Sequence, residues 1–279
     1  MEADMGKYRR RAWLAVAYAV LLAVVTACAG SSAEAEANTN NNTQKLAAHV
    51  AKMNEECPSW ATEGFLLAVK YDEAKNEVTL VSALDDGYIS AVYLRQRKEN
   101  MAKLLRSYFV PLITTDYPED NTQLFQYIVD AGASVKAVYK EMEFGDTAQY
   151  TFSAAEVAAM AGHKVPREEI NRMCLESFIF AWNSRGPSYY HGAEMCMRAE
   201  SEGGYLVIYM YTHYDLKKYK ELEGEWKQEI LNSPVSMKRV CVWNYAGIKY
   251  RFYTDDPKKA HYDIAVDSDE LVDSMFGMI

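Results

Sequence analysis

Asn54-Glu55-Glu56-Cys57-Pro58-Ser59-Trp60 and Asn183-Ser184-Arg185-Gly186-Pro187-Ser188-Tyr189 align without a gap in the two halves of the chain. Each begins with asparagine and ends in Pro-Ser-aromatic. Ahead of the first, Leu46, Val50 and Met53 recur at the i, i+4, i+7 spacing of one helix face. Ahead of the second, Ile170, Met173, Cys174, Phe178 and Ala181 do the same, behind a Pro166 that suits a first helical turn. Proline then stops each helix. Two copies of one unit follow from this pairing.

The rest of the chain repeats in the same order. A hairpin comes next in both halves, Phe65 to Leu84 around Asp72–Asn76 and Ala193 to Thr212 around Glu202-Gly203-Gly204. These runs are β-rich and bounded by turn residues. Charged helices follow at Ile89–Phe109 and Leu216–Leu231, each stopped near a proline, Pro111 and Pro234. A second echo sets Asp130-Ala131-Gly132 against Tyr245-Ala246-Gly247, where glycine suits the left-handed cap of a short helix. A second hairpin then covers Ser134–Phe152 and Ile248–Val266. Each copy closes with a capped apolar helix, Ser153–Met160 and Ser268–Phe276, ended by Gly162 and Gly277.

The fold expected is α+β: two tandem repeats, each a mainly antiparallel four-stranded sheet with helices packed on one face. The boundaries read as a signal segment over 1–27, a tether over 28–44, repeat one over 45–162 and repeat two over 166–279. Val240-Cys241-Val242-Trp243 alone reads as a strand, but the repeat order places a helix there.

The first 27 residues have the parts of an export signal. Lys7, Arg9, Arg10 and Arg11 form a basic start, and a 16-residue apolar run spans Ala12 to Ala27. A membrane-spanning helix needs about 20 such residues. The run ends in Val25-Thr26-Ala27-Cys28, which resembles the lipobox of bacterial lipoproteins. The resemblance implies cleavage before Cys28, a lipid on its thiol, and attachment to a membrane of the cell envelope. Ala29 after the cysteine implies the outer membrane by the same resemblance. AGSSAEAEANTNNNTQ, residues 29–44, has the small polar composition of a tether.

Removing residues 1–27 takes away four basic and two acidic side chains and moves the formal charge from −9 to −11. That balance disfavours nucleic acid as a partner, because such binding rests on phosphate neutralisation, and no nucleic acid is expected. Cys57, Cys174, Cys196 and Cys241 form no CxxC pair. They read as small buried hydrophobes, with one bridge among Cys174, Cys196 and Cys241 the alternative.

No GxSxG, HExxH, Walker loop, GxGxxG or calcium-loop pattern is present, and no cofactor or metal is expected. His213-Tyr214-Asp215 and His261-Tyr262-Asp263 each place an imidazole and a carboxylate on one side of an extended chain. Strand parity gives the stronger signal. Leu206, Ile208 and Met210 face the core, as do Ile248, Tyr250, Phe252, Tyr262, Ile264 and Val266. Tyr205, Val207, Tyr209, Tyr211 and His213 then share the outer face with Lys249, Arg251, Tyr253, His261 and Asp263. The first copy offers Glu77, Thr79, Val81, Lys136, Lys140 and Thr151 instead. Tyrosine-rich faces with Arg, His and Asp favour recognition, so Tyr205, Tyr209, Tyr211, His213, Lys249, Arg251, Tyr253, His261 and Asp263 form a candidate binding face for an envelope protein or glycan. Cross-strand tyrosine pairs also stabilise a sheet, which is the competing structural role. Two other functions stay open at this point: an envelope hydrolase using outer-face carboxylates with His213 or His261, and a structural subunit of an outer-membrane assembly.

Overall fold

Helix α1 is in place by residue 41 and runs to 55, so the first unit begins ahead of Lys45. The computed structural model describes residues 41–61, 64–84, 89–109, 119–141, 145–160, 165–190 and 194–276. Cys28 and the export segment lie outside the described residues. After α1 come β1 (Ser59–Ala61), β2 (Gly64–Asp72), β3 (Glu77–Leu84), α2 (Ala91–Gln96), α3 (Lys98–Phe109), α4 (Glu119–Asp130), β4 (Ser134–Glu141), β5 (Thr147–Phe152) and α5 (Ala154–Met160). The order then repeats: α6 (Arg167–Ser184), β6 (Ser188–Tyr189), β7 (Met195–Glu202), β8 (Tyr205–Tyr211), α7 (Lys217–Glu221), α8 (Glu223–Leu231), α9 (Val235–Trp243), β9 (Gly247–Tyr253), β10 (His261–Val266) and α10 (Ser268–Phe276).

The chain is α+β, with two sheet-and-helix units. The sheets run β1-β2-β3-β4-β5 and β10-β9-β8-β7-β6. Each has five strands, because the echoed Pro-Ser-aromatic stretches themselves form β1 and β6, too short for periodicity to register. The β3–β4 and β8–β9 pairs are parallel and the other pairs antiparallel. Helices cross over between the parallel strands, as such pairs require.

The asparagines that open the echo explain its recurrence. In β7 a bulge at Met197 shifts the register between Cys196 and Arg198, and β6 pairs no further than Cys196. Beyond it, Asn183 Nδ2 donates to the Ala199 carbonyl at 2.9 Å and Asn183 Oδ1 accepts from Ala199 N–H at 2.7 Å. One side-chain amide thus stands in for a missing strand. In β2 the register shifts between Leu66 and Ala68, and Asn54 Oδ1 accepts from Val69 N–H at 3.2 Å. Each asparagine closes the edge where a short outer strand stops, which removes an open ladder from the surface.

The second echo is offset from the sequence alignment by two residues. Helix α4 ends in a left-handed Gly132 (φ 58°), with Ala133 N–H donating to Ile128 O and Gly132 N–H to Val129 O. Helix α9 ends the same way at Tyr245 (φ 52°), with Ala246 N–H on Cys241 O and Tyr245 N–H on Val242 O. Both are Schellman caps. Gly247 is therefore not the cap. It opens β9, where an added Cβ would clash with the Val266 carbonyl oxygen and lie 2.6 Å from Tyr205 Cε1. The stretch 240–243 is helical, as the repeat order requires. The two charged helices are each broken once, at Arg97 (φ −144°, ψ 126°) and at Leu222 (φ −95°, ψ 7°).

Leu206, Ile208 and Met210 of β8 share the core with Ile248, Tyr250, Phe252, Ile264 and Val266 and with helix residues Cys174, Trp226, Ile230, Met237, Val240 and Leu271. Tyr262 packs against that core half-buried. The same core continues into the first unit through Leu66, Val69, Val78, Leu80, Leu104 and Leu124. At the junction Ser90 N–H donates to Ser177 Oγ at 2.8 Å, and Lys103 pairs with Glu169 at 2.7 Å.

Candidate functional site

Parity and register arrange the outer face of the second sheet in four rows. Glu202, Tyr205 and Gly247 are cross-strand neighbours in the first. Glu200, Val207, Lys249 and Ala265 form the second; Arg198, Tyr209, Arg251 and Asp263 form the third. The fourth crosses all five strands as Tyr189, Met195, Tyr211, Tyr253 and His261. His213 follows β8 just beyond it. Eight of the nine residues expected on this face are on it by register, His213 being the exception.

They are not equally available. Val207, Tyr209 and Tyr253 are buried, with Met197, Tyr205 and Tyr211 packed around them as a second, smaller core. This portion of the tyrosine set therefore stabilises the sheet. Tyr211 and Tyr253 meet edge-to-face at 5.8 Å, and Tyr211 meets His213 at 5.0 Å, the geometry ring quadrupoles favour. His213 and His261 are exposed, and Tyr189 is 77% exposed.

The middle rows form a charge network. Arg251 donates from Nε to Asp263 Oδ1 and from Nη2 to Asp263 Oδ2, both at 2.9 Å, and from Nη1 to Glu202 Oε2 at 3.0 Å. Burial opposes the charge on Asp263, but these bonds and the Arg251 charge outweigh it and hold the carboxyl below its ordinary range. The bond from Arg251, with a second from Tyr209, lowers Glu202 likewise. Burial, then Glu202, pushes the Tyr209 phenol up. Its hydroxyl lies 3.2 Å from Glu200 and 3.1 Å from Glu202. Cations cover ring faces: Lys249 lies 4.5 Å from the Tyr205 centroid, and Arg198 lies 4.2 Å from that of Tyr209.

The two histidine tripeptides do not converge on one site. His261 Nε2 lies 4.0 Å from Asp263 Oδ1, but that carboxylate is already committed to Arg251. Asp215 accepts from Lys217 N–H at 3.0 Å at the start of α7. Among the described residues, no group of three or more His, Cys, Asp and Glu is placed to hold a metal ion. No disulfide joins Cys57, Cys174, Cys196 and Cys241. Burial pushes the Cys241 thiol up to about 12.

Sequence parity missed Tyr189, Met195, Met197, Arg198, Glu200 and Glu202. The bulge at Met197 interrupts the two-residue period of β7, and the pairing of Tyr189 depends on a two-residue strand. Extending the parity from Tyr205 back across the Gly203-Gly204 turn reaches Glu202, Glu200 and Arg198.

No family model matches the sequence, and no curated protein matches it. Among solved structures, a Pseudomonas aeruginosa protein described as secreted aligns with TM-score 0.28 and 14% identity, over 42% of this chain and 96% of that one. So loose a likeness carries no argument about this chain. No helix among the described residues is long and apolar enough to cross a membrane.

Proposed function

We propose that this is an envelope lipoprotein, anchored through Cys28 on a polar tether, whose second unit binds a protein partner through the outer face of its sheet. The observation that carries the binding role is the asymmetry between two copies of one fold. By register the row of Tyr189, Met195, Tyr211, Tyr253 and His261 corresponds to Trp60, Phe65, Ala83, Lys140 and Thr147 of the first sheet, which forms the same ladders. Tyr211, Tyr253 and His261, where the first sheet has Ala83, Lys140 and Thr147, are thus not demanded by the architecture. The two ends of the row are exposed, while its middle rests on a packed, ion-paired base. Rigid aromatic side chains held that way lose little entropy on binding.

A protein fits this face better than a glycan. Sugar rings stack on open aromatic faces, and those of Tyr205 and Tyr209 are covered by Lys249 and Arg198. The edges and tips of Tyr189, Tyr211 and His261, beside Met195, suit an apolar anchor with a polar rim.

The test compares co-purification of envelope proteins with the full chain and with a Tyr189→Ser/Tyr211→Ser variant, each shown to be folded. A Thr79→Ser/Thr151→Ser variant controls for the first sheet. A partner retained by the wild type and the control but lost from the tyrosine variant supports the reading. Equal retention by all three, with the fold intact, rejects it.

A further inference from the structure

The units meet along α6, and the second half of that helix leaves a groove beside α2. Glu176, Ile179, Phe180, Asn183 and Ser184 line it from one face of α6, and Tyr93 of α2 forms the opposite wall. It is a shallow, open groove of about 430 Å³. The buried Tyr93 ring and the half-buried Phe180 ring make a corner, with centroids 6.0 Å apart and planes tilted by 58°. At the rim the exposed Glu176 accepts a hydrogen bond from the Tyr93 hydroxyl at 2.9 Å. Burial, and then that bond, pushes the Tyr93 phenol up, so it stays a donor.

Two features favour positive charge here. Aromatic faces attract cations, and the Glu176 carboxylate stands at the rim, accepting from the Tyr93 hydroxyl. A net charge of −9 concentrates cations around the chain as a whole. Ile179 adds an apolar wall that cannot replace the hydration shell of an inorganic ion. We propose that the groove binds an organic ammonium ion, a protonated amine on a short apolar chain, between the Tyr93–Phe180 corner and Glu176. The site is separate from the sheet face and does not depend on its function. Tyr93 belongs to the first unit and the other lining residues to the second, so the bound ion bridges the two.

Saturation-transfer NMR on the purified full chain tests this with three probes: n-hexylammonium, the neutral n-hexanol, and N-acetyl-lysine methylamide. Saturable hexylammonium binding is expected, with hexanol weaker by about tenfold or more. Glu176→Gln, which keeps an acceptor for Tyr93, should weaken hexylammonium by a similar factor, as loss of a charged partner does. Phe180→Leu should weaken it by about threefold through the lost ring. Binding of the lysine mimic as well as hexylammonium supports a side-chain amine as the natural ligand; hexylammonium alone supports a free amine. Equal binding of hexanol and hexylammonium to the wild type, or undiminished binding by a folded Glu176→Gln protein, overturns the proposal. The probe comparison on the wild type decides the matter should either variant fail to fold.

Discussion

Replacing Asn183 by alanine removes the amide that completes the edge of β7. Two hydrogen bonds disappear, Nδ2 to Ala199 O at 2.9 Å and Ala199 N–H to Oδ1 at 2.7 Å. Each contributes about 1 kcal/mol net, which sets a floor of about 2 kcal/mol. Ala199 is fully buried, so leaving both its backbone groups unpaired drives the cost upward. Asn183 itself is exposed, and water entering the gap recovers part of that. The expected loss is about 2–3 kcal/mol. Asn54→Ala loses the single Val69 bond and should cost about 1 kcal/mol. Asn183→Asp keeps the acceptor and loses the donor, and should fall between them. Urea unfolding gives the totals, and amide exchange at Ala199 shows whether the loss is local. A change below about 0.5 kcal/mol for Asn183→Ala, or equal costs at 54 and 183, would refute the edge-closing account.

The remaining predictions concern the cap, a buried lysine, acid stability and the anchor. Tyr245→Gly relieves a left-handed residue that is 87% exposed, and thermal unfolding should show a gain of about 0.5–1 kcal/mol. Lys238 is 1% exposed and bonds only to neutral oxygens of Leu231 and Ser274, among the partners described for its ammonium. Burial lowers its pKa, so stability rises as pH climbs from the folded value toward the unfolded one near 10.4. Lys238→Met should be more stable at pH 7 by about 1 kcal/mol, and the gap should narrow as pH approaches 10. Asp263 has a lowered pKa; its contribution is complete above the unfolded value of about 4 and is lost as pH falls through the folded one. Asp263→Asn should cost about 2 kcal/mol at pH 7, with a shallower decline below pH 4 than the wild type in urea titrations. Cys28→Ser should abolish incorporation of labelled fatty acid and release the chain from the membrane fraction; a labelled, membrane-bound variant would contradict anchoring at that residue.

The sequence made the duplication legible because its strongest punctuation is tied to backbone geometry. Asn54 and Asn183 recur because both close a sheet edge, and proline recurs because both helices must stop there. Strand parity placed the outer face correctly because β8 and β9 hold an unbroken two-residue period. Three features lay beyond such reading. The strands β1 and β6 are two or three residues long, below any periodic signal. The second glycine echo misled because Tyr245 adopts the left-handed conformation usually left to glycine, while Gly247 is fixed by the nearby Tyr205 ring. Nor does parity separate burial from exposure on a single face. Tyr209 sinks beneath Arg198, and Tyr253 is buried in the same small cluster; Tyr189, not visible as a strand residue, is the most open aromatic of the row. The groove between the units was equally hidden, since Tyr93 and Phe180 meet only when the two copies pack.

Site-specific photocrosslinking in living cells tests the recognition face most directly. A photoreactive residue at 189, 211 or 213 should yield a discrete adduct with one protein, while the same residue at 79 or 151 on the first sheet should not. Adducts absent from all five positions, or equally frequent on both sheets, would contradict the assignment of recognition to the second unit.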